Sequence, residues 1–295
     1  MNPEKSAMNN LDARRRHDDI ADTAEMLLPS HDKIASMMEK ISIKTEDFID
    51  LYSEEGIARD NRYVAGRHED FAKQSKDTMP NGLTFGEVRN LAEILEYQII
   101  KGINGHNWIP LCQAIKTSEY DDIANGVDLV LEFQDKHHVN HLGMGIDISF
   151  SRNLTKKFER IKNEIDSYDG KENRMGVVKY FNSQKTGMRG ELSGLPRVVA
   201  ALDLGVMEDM AKAPKSMEGH IAKHAIITEM EHQLNVFAKY AERKNPACAE
   251  RIYTAQNFIK VISTHFDSEE KLARSEYQKN NKIQDAILEG LEMFR

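Results

Sequence analysis

The sequence predicts an α/β fold: a small mixed sheet with a central β-hairpin, flanked by helices, with helical extensions at the N- and C-terminal ends. Three observations predict it. Two short runs rich in β-branched and apolar residues, VDLVLEF over 127–133 and LGMGIDISF over 142–150, are long enough for strands and too short for helices, and a polar loop separates them. Two more strand-like runs follow, GVVKYF over 176–181 and RVVAAL over 197–202. On both sides of this region the apolar residues recur at helical spacing instead. The chain therefore divides into a helical segment over 1–76, an α/β core over 84–212 and a helical region over 213–295.

Ile20, Ala24, Leu27 and Leu28 share one helical face, Pro29 and Ser30 end that helix, and a second begins at His31. Residues 45–74 are charged and helical in pattern. SKDTMPNG over 75–82 reads as a linker. Thr84 with Glu87 three residues later forms a capping-box pattern, opening a helix whose Val88, Leu91, Ala92, Leu95 and Ile99 face the sheet. Trp108, Pro110, Leu111 and Ile115 suggest a short helix over the sheet edge. Leu154, Phe158, Ile161 and Ile165 mark a helix after the hairpin, and 205–212 another. Beyond 219 the pattern is a helical hairpin broken at Asn245-Pro246, then a last helix from about 269 to 294.

The chain has 295 residues, 40% hydrophobic and 30% charged, enough for a sizeable core in a soluble globular protein. No run approaches the ~20 apolar residues of a membrane span. The basic N-terminus is followed by no apolar stretch of the secretory kind. Cys112 and Cys248 suggest no disulfide framework, so the cytoplasm is the expected compartment. The net charge of −8 argues against a general nucleic-acid binder, but residues 151–200 hold 11 basic and 6 acidic residues, a local positive excess. That excess suits either a polyanion or a solvated helix face.

Each strand of the hairpin carries an acid, Asp128 in the first and Asp147 in the second. Asp is a poor strand former and costly to bury unpaired. On adjacent strands the two carboxylates can converge on a hard divalent cation, with Asp121, Asp122 and Glu132 as further oxygen donors. Strand alternation puts Asp128 and Glu132 on one face, and Asp147 and Ser149 on one face. Two other groups invite a metal: His137, His138 and His141 in the hairpin loop, as a zinc site or simply a polar tip, and His220, His224 and Glu231 on one helix face.

DDIANGVD, a hairpin and then GIDIS together resemble the core of the PD-(D/E)XK nuclease superfamily, over about residues 85–202. The run is also similar to uncharacterised proteins of small-genome bacteria with the same hairpin. In the superfamily an Asp on one strand and an acid-x-Lys on the next hold the metal that activates water on a phosphodiester. The resemblance implies that Asp128 and Asp147 bind Mg²⁺ (or Mn²⁺), with Glu132, Asp122 and Glu96 as additional ligands and Glu93 as a substitute for Glu96. Ser149 stands where the family has Lys, so Lys156 or Lys157 of the following helix is expected in that role. The implied partner is nucleic acid, DNA in preference to RNA. The alternative is a non-catalytic binding or scaffold protein on the same fold, its helical extensions serving for homo-oligomers.

Overall fold

A computed structural model describes residues 20–79, 82–133, 142–150, 153–171, 173–212, 217–264 and 282–295. The histidine loop around 137–141 and residues 269–281 of the expected last helix lie outside the described residues.

The mixed α/β architecture rests on a four-stranded sheet in the order β1-β2-β3-β6, with β1 Cys112–Lys116, β2 Leu129–Phe133, β3 Leu142–Ser149 and β6 Arg197–Ala201. β1, β2 and β3 are antiparallel neighbours, and β6 runs parallel to β3. A parallel neighbour needs a crossover. Helix α5 (Thr155–Ser167) and a separate two-stranded sheet, β4 (Val178–Asn182) with β5 (Arg189–Leu192), lie in that connection.

β1 corrects the helix expected around Trp108. Helix α4 (Phe85–His106) ends at Asn107, which is left-handed at φ 51°. A turn follows in which Leu111 is also left-handed, at φ 58°, and the chain emerges extended. Trp108 is buried beside Gly102, where a Cβ would collide with the indole ring, so glycine lets the turn close onto the helix.

The start of α4 follows its sequence. Thr84 Oγ1 accepts from Glu87 N at 3.2 Å, and Glu87 Oε2 accepts from Thr84 N at 2.7 Å. The Leu91, Ile94, Leu95 and Ile99 stripe packs in one core with Leu129 and Leu131 of β2, Met144 and Ile146 of β3, and Val198 of β6. Helix α7 (Ile221–Lys244) adds Ile226, Met230, Leu234 and Phe237 to the same core, paired with α8 (Pro246–Thr264). A second cluster, Ile115, Val127, Val130, Val178, Phe181 and Leu192, joins the main sheet to the β4–β5 pair. The short helix α6 (Leu204–Lys212) and α9 (Lys282–Leu291) complete the cover.

The N-terminal helices pack on this core. Ala24 and Leu27 of α1 (20–27) and Ile34 and Met38 of α2 (His31–Ile41) are buried with α4. Helix α3 (Glu54–Gln74), capped by Ser53, reaches the β4–β5 pair through Asp60, which accepts from Tyr180 Oη at 2.8 Å and pairs with Lys179. Among the described residues no helix is long and apolar enough to cross a membrane.

Candidate active site

Strand register and one irregular turn bring the acids together. The β1–β2 ladder ends at Lys116 opposite Leu129. Asp128 therefore lies just outside β2, although Thr117 N still donates to its carbonyl at 3.2 Å. On the other side Asp128 N donates to Ile146 O at 2.9 Å, while its side-chain Oδ2 accepts from Ile148 N at 2.6 Å. The carboxylate continues the ladder where backbone pairing has stopped, which is how an acid is accommodated at the strand start.

Ahead of Asp128 a single π-helical turn, Asp121–Asn125, ends in Gly126 at φ 62°. A Cβ on Gly126 would run into the guanidinium of Arg160. Asp121, fully buried, organises this turn: its carboxylate accepts from Ser118 Oγ (2.7 Å), Asn125 Nδ2 (2.7 Å), Lys179 N (2.7 Å) and Tyr180 N (3.0 Å). Arg197, also buried, donates to Asn125 O at 2.9 Å and to Gly126 O, and pairs with Glu164. So held, the turn directs Asp122 toward Asp128.

The resulting cluster contains Glu96 of α4, Lys116 of β1, Asp122 of the turn, Asp128, Asp147 of β3 and Lys157 of α5. Lys116 Nζ lies 2.6 Å from Glu96 Oε1 and 3.0 Å from Asp122 Oδ2. Lys157 Nζ pairs with Asp147 and donates to Ile148 O at 2.8 Å. The side chains of Lys116, Asp147 and Glu96 are 8%, 9% and 10% exposed, against 26% for Lys157 and 37% for Asp122, so the cluster opens to solvent on the Asp122 and Lys157 side.

Burial and mutual repulsion set the charges. Asp128 is pushed well above the usual carboxylate range, first by burial and then by the charges of Asp122 and Asp147, with Lys157 opposing. Burial raises Glu96 to about 7 against the pull of Lys116. Asp122 goes the other way: burial raises it, but the Lys116 charge and hydrogen bonds from Lys116 and Asp128 outweigh that and hold it low. Burial also opposes the charge on Lys116 and Lys157, yet the neighbouring carboxylates keep both firmly protonated.

Carboxylate oxygens are the donors that suit Mg²⁺ or Mn²⁺, but the upward shift of Asp128 comes first from burial and only then from the charges of Asp122 and Asp147. As the side chains stand, with the two ammonium groups on the carboxylates, no group of three or more His, Cys, Asp or Glu among the described residues is arranged to hold a metal.

Among the expected site residues, Asp128, Asp147, Asp122, Glu96 and Lys157 are brought together. Two are not. Glu132 lies at the far end of β2, fully buried, where it accepts from Ser183 Oγ at 2.7 Å and Thr186 Oγ1 at 3.0 Å. Lys156 is exposed on α5, because adjacent helical positions point about 100° apart. Glu93 pairs with His31 at 2.8 Å rather than entering the cluster. His220 caps α7 by accepting from Ala222 N at 3.2 Å, and His224 is buried; with Glu231 they form no metal group. Several cations of the basic segment are paired, some with acids outside it: Arg174 with Glu191, Lys162 with Asp166, Arg189 with Asp50 and Lys179 with Asp60. Lys156, Arg160, Lys171 and Lys185 are exposed as well.

Lys116 was not foreseen. Reading CQAIK as a strand would have shown it, since alternation places Lys116 with Ala114 on the α4 face. Comparison with protein-family models, curated proteins and solved structures returned no match for this chain.

Proposed function

We propose that this protein is a metal-dependent phosphodiester hydrolase of the PD-(D/E)XK type, acting on nucleic acid, DNA in preference to RNA. The observation that carries this reading is the meeting of Asp128, Asp147, Asp122 and Glu96 with Lys157 at one end of the sheet. Lys157 on Asp147 supports a lysine supplied from the helix where Ser149 replaces the family's residue. Mg²⁺ (or Mn²⁺) bound by Asp128 and Asp147 would lower the pKa of water and neutralise charge on the phosphate. Lys157 orients the water or offsets charge at the scissile oxygen. Lys156 and Arg160, exposed on the same helix, contact flanking phosphates.

The scaffold alternative has one observation in its favour: both lysines already neutralise the carboxylates that a metal would need. The test is cleavage of labelled single- and double-stranded DNA and RNA with Mg²⁺ or Mn²⁺, beside Asp128→Ala and Asp147→Ala. Cleavage abolished by both substitutions supports the hydrolase; no cleavage of any substrate by the unaltered chain rejects it in favour of the scaffold. The free thiols Cys112 and Cys248 are in keeping with a cytoplasmic location. Self-association through the helical extensions is read by sedimentation velocity.

A further inference from the structure

Strand alternation would put Lys179 and Tyr180 on opposite faces of β4, but the pairing with β5 shifts register between Val178 and Phe181, as a β-bulge does. Both side chains consequently reach the carboxylate of Asp60: Tyr180 Oη donates to Asp60 Oδ2 at 2.8 Å, and Lys179 Nζ pairs with the same oxygen. Around that ammonium stand the rings of Tyr52, Tyr180 and Tyr120, with centroids 5.0, 5.1 and 5.5 Å from Nζ. The rings meet edge to face, the centroids of Tyr52 and Tyr120 lying 5.3 and 5.7 Å from that of Tyr180.

Aromatic faces set around a carboxylate recognise an organic cation, since each face presents the negative side of its quadrupole and the carboxylate balances the charge. A primary ammonium uses such a place poorly. It is strongly hydrated and brings three N–H donors, whereas its acceptor here among the described residues is Asp60. A quaternary ammonium has no donor to leave unsatisfied. The walls do not depend on the lysine side chain: Tyr52 Oη donates to the Lys179 backbone carbonyl at 2.9 Å, and Asp121 accepts from the backbone N–H groups of Lys179 and Tyr180. The Lys179 side chain is 21% exposed against 6% for Asp60, so the cage has a narrow mouth through which the lysine can leave and a small free cation enter.

We propose that Tyr52, Tyr120, Tyr180 and Asp60 form a binding site for a small quaternary ammonium compound, and that Lys179 occupies it as a built-in competitor which the ligand displaces. The proposal needs neither a metal ion nor the hydrolase reading.

The test titrates choline into the full chain carrying ring-labelled tyrosine and follows the tyrosine signals by nuclear magnetic resonance. The unaltered chain is expected to show saturable shifts of Tyr52, Tyr120 and Tyr180, with none from the uncharged carbon isostere of choline. Lys179→Ala is expected to bind choline at least about tenfold more tightly, because apparent affinity is scaled down by the fraction of molecules whose cage is vacant. Adding Tyr52→Leu to that variant is expected to weaken binding again by roughly tenfold, through loss of one ring face. No saturable shift in the unaltered chain, equal shifts with the isostere, or unchanged affinity in folded Lys179→Ala overturns the proposal. Phosphatidylcholine vesicles bound in preference to free choline overturn the assignment to a small ligand. Should Lys179→Ala not fold, choline against its isostere on the unaltered chain still decides whether the cage takes the cation.

Discussion

Asp128 is where the costs of the site concentrate, because its half-buried carboxyl is desolvated beside Asp122 and Asp147. Its folded pKa lies above its unfolded value, so the folded chain keeps a proton that the unfolded chain has lost. Stability without metal therefore falls as pH rises from about 4 through the folded pKa. Asp128→Asn keeps an acceptor for Ile148 N but has no proton to lose. It is expected to abolish cleavage and to flatten this part of the melting-temperature profile; a profile parallel to the unaltered chain's would sink the assignment. Lys157→Ala is expected to lower cleavage by roughly 100-fold or more, as loss of a group at developing charge does, and Lys156→Ala to change chiefly the salt dependence. Equal losses in steady-state assays at fixed ionic strength would contradict the placement of Lys157 on Asp147. Acids inside apolar runs were legible in the sequence because an Asp in a strand needs a reason. Glu132 was misplaced because alternation fixes a face, not a position: four residues along a strand is about 13 Å.

Among the elements, the hairpin, α4, α5 and β6 were legible because their apolar periods are clean. β1 was not, since Trp108 and Pro110 extend its apolar run backwards into a turn, and β5, RGEL, has too little apolar character to register. The cover of β6 was also hidden, since it depends on two polar residues, Glu229 and Gln233, on the buried side of α7. Gln233 of α7 accepts from Val199 N at 2.8 Å and donates to Val199 O at 2.7 Å, while Glu229 Oε2 accepts from Ala201 N at 3.1 Å. Together they occupy the edge of β6 that would otherwise be open to another strand. Glu229 is fully buried, its Oε1 has no hydrogen-bond partner, and burial raises its pKa well above the ordinary range. The folded state binds this proton more tightly than the unfolded state, so its contribution is lost as pH rises above about 4.5 toward the folded pKa. Glu229→Gln retains the acceptor without the titration. Chemical denaturation at pH 8 is expected to show the variant more stable by about 1–3 kcal/mol, the scale of an uncompensated buried polar group, with the difference vanishing near pH 4. A constant difference across that range would assign the effect to packing instead.

Across the whole molecule, the site is tied to elements far apart in sequence. Asp121 joins the π-turn to the backbone of Lys179 and Tyr180, and Asp60 of α3 holds the side chains of those same two residues. Tyr63 of α3 packs edge-on to Tyr120 beside the turn, with ring centroids 6.2 Å apart. The N-terminal helices share their core with α4, which also carries Glu96. A structure connected in this way is expected to unfold as one unit, and an ion that bound only the folded site would stabilise all of it by mass action. Scanning calorimetry is accordingly expected to show one transition, shifted upward by Mg²⁺ or Mn²⁺ by the equivalent of about 2.7 kcal/mol at a hundred times the dissociation constant, with no shift in Asp128→Ala. Asp60→Ala cuts the link between α3 and β4 and leaves Lys179 and Tyr180 without their shared carboxylate, so it is expected to lower the midpoint of that single transition. Two resolved transitions in the unaltered chain, only one of them moving with metal, would mean that the N-terminal helices fold apart from the site and that the Asp60 and Asp121 contacts do not couple them.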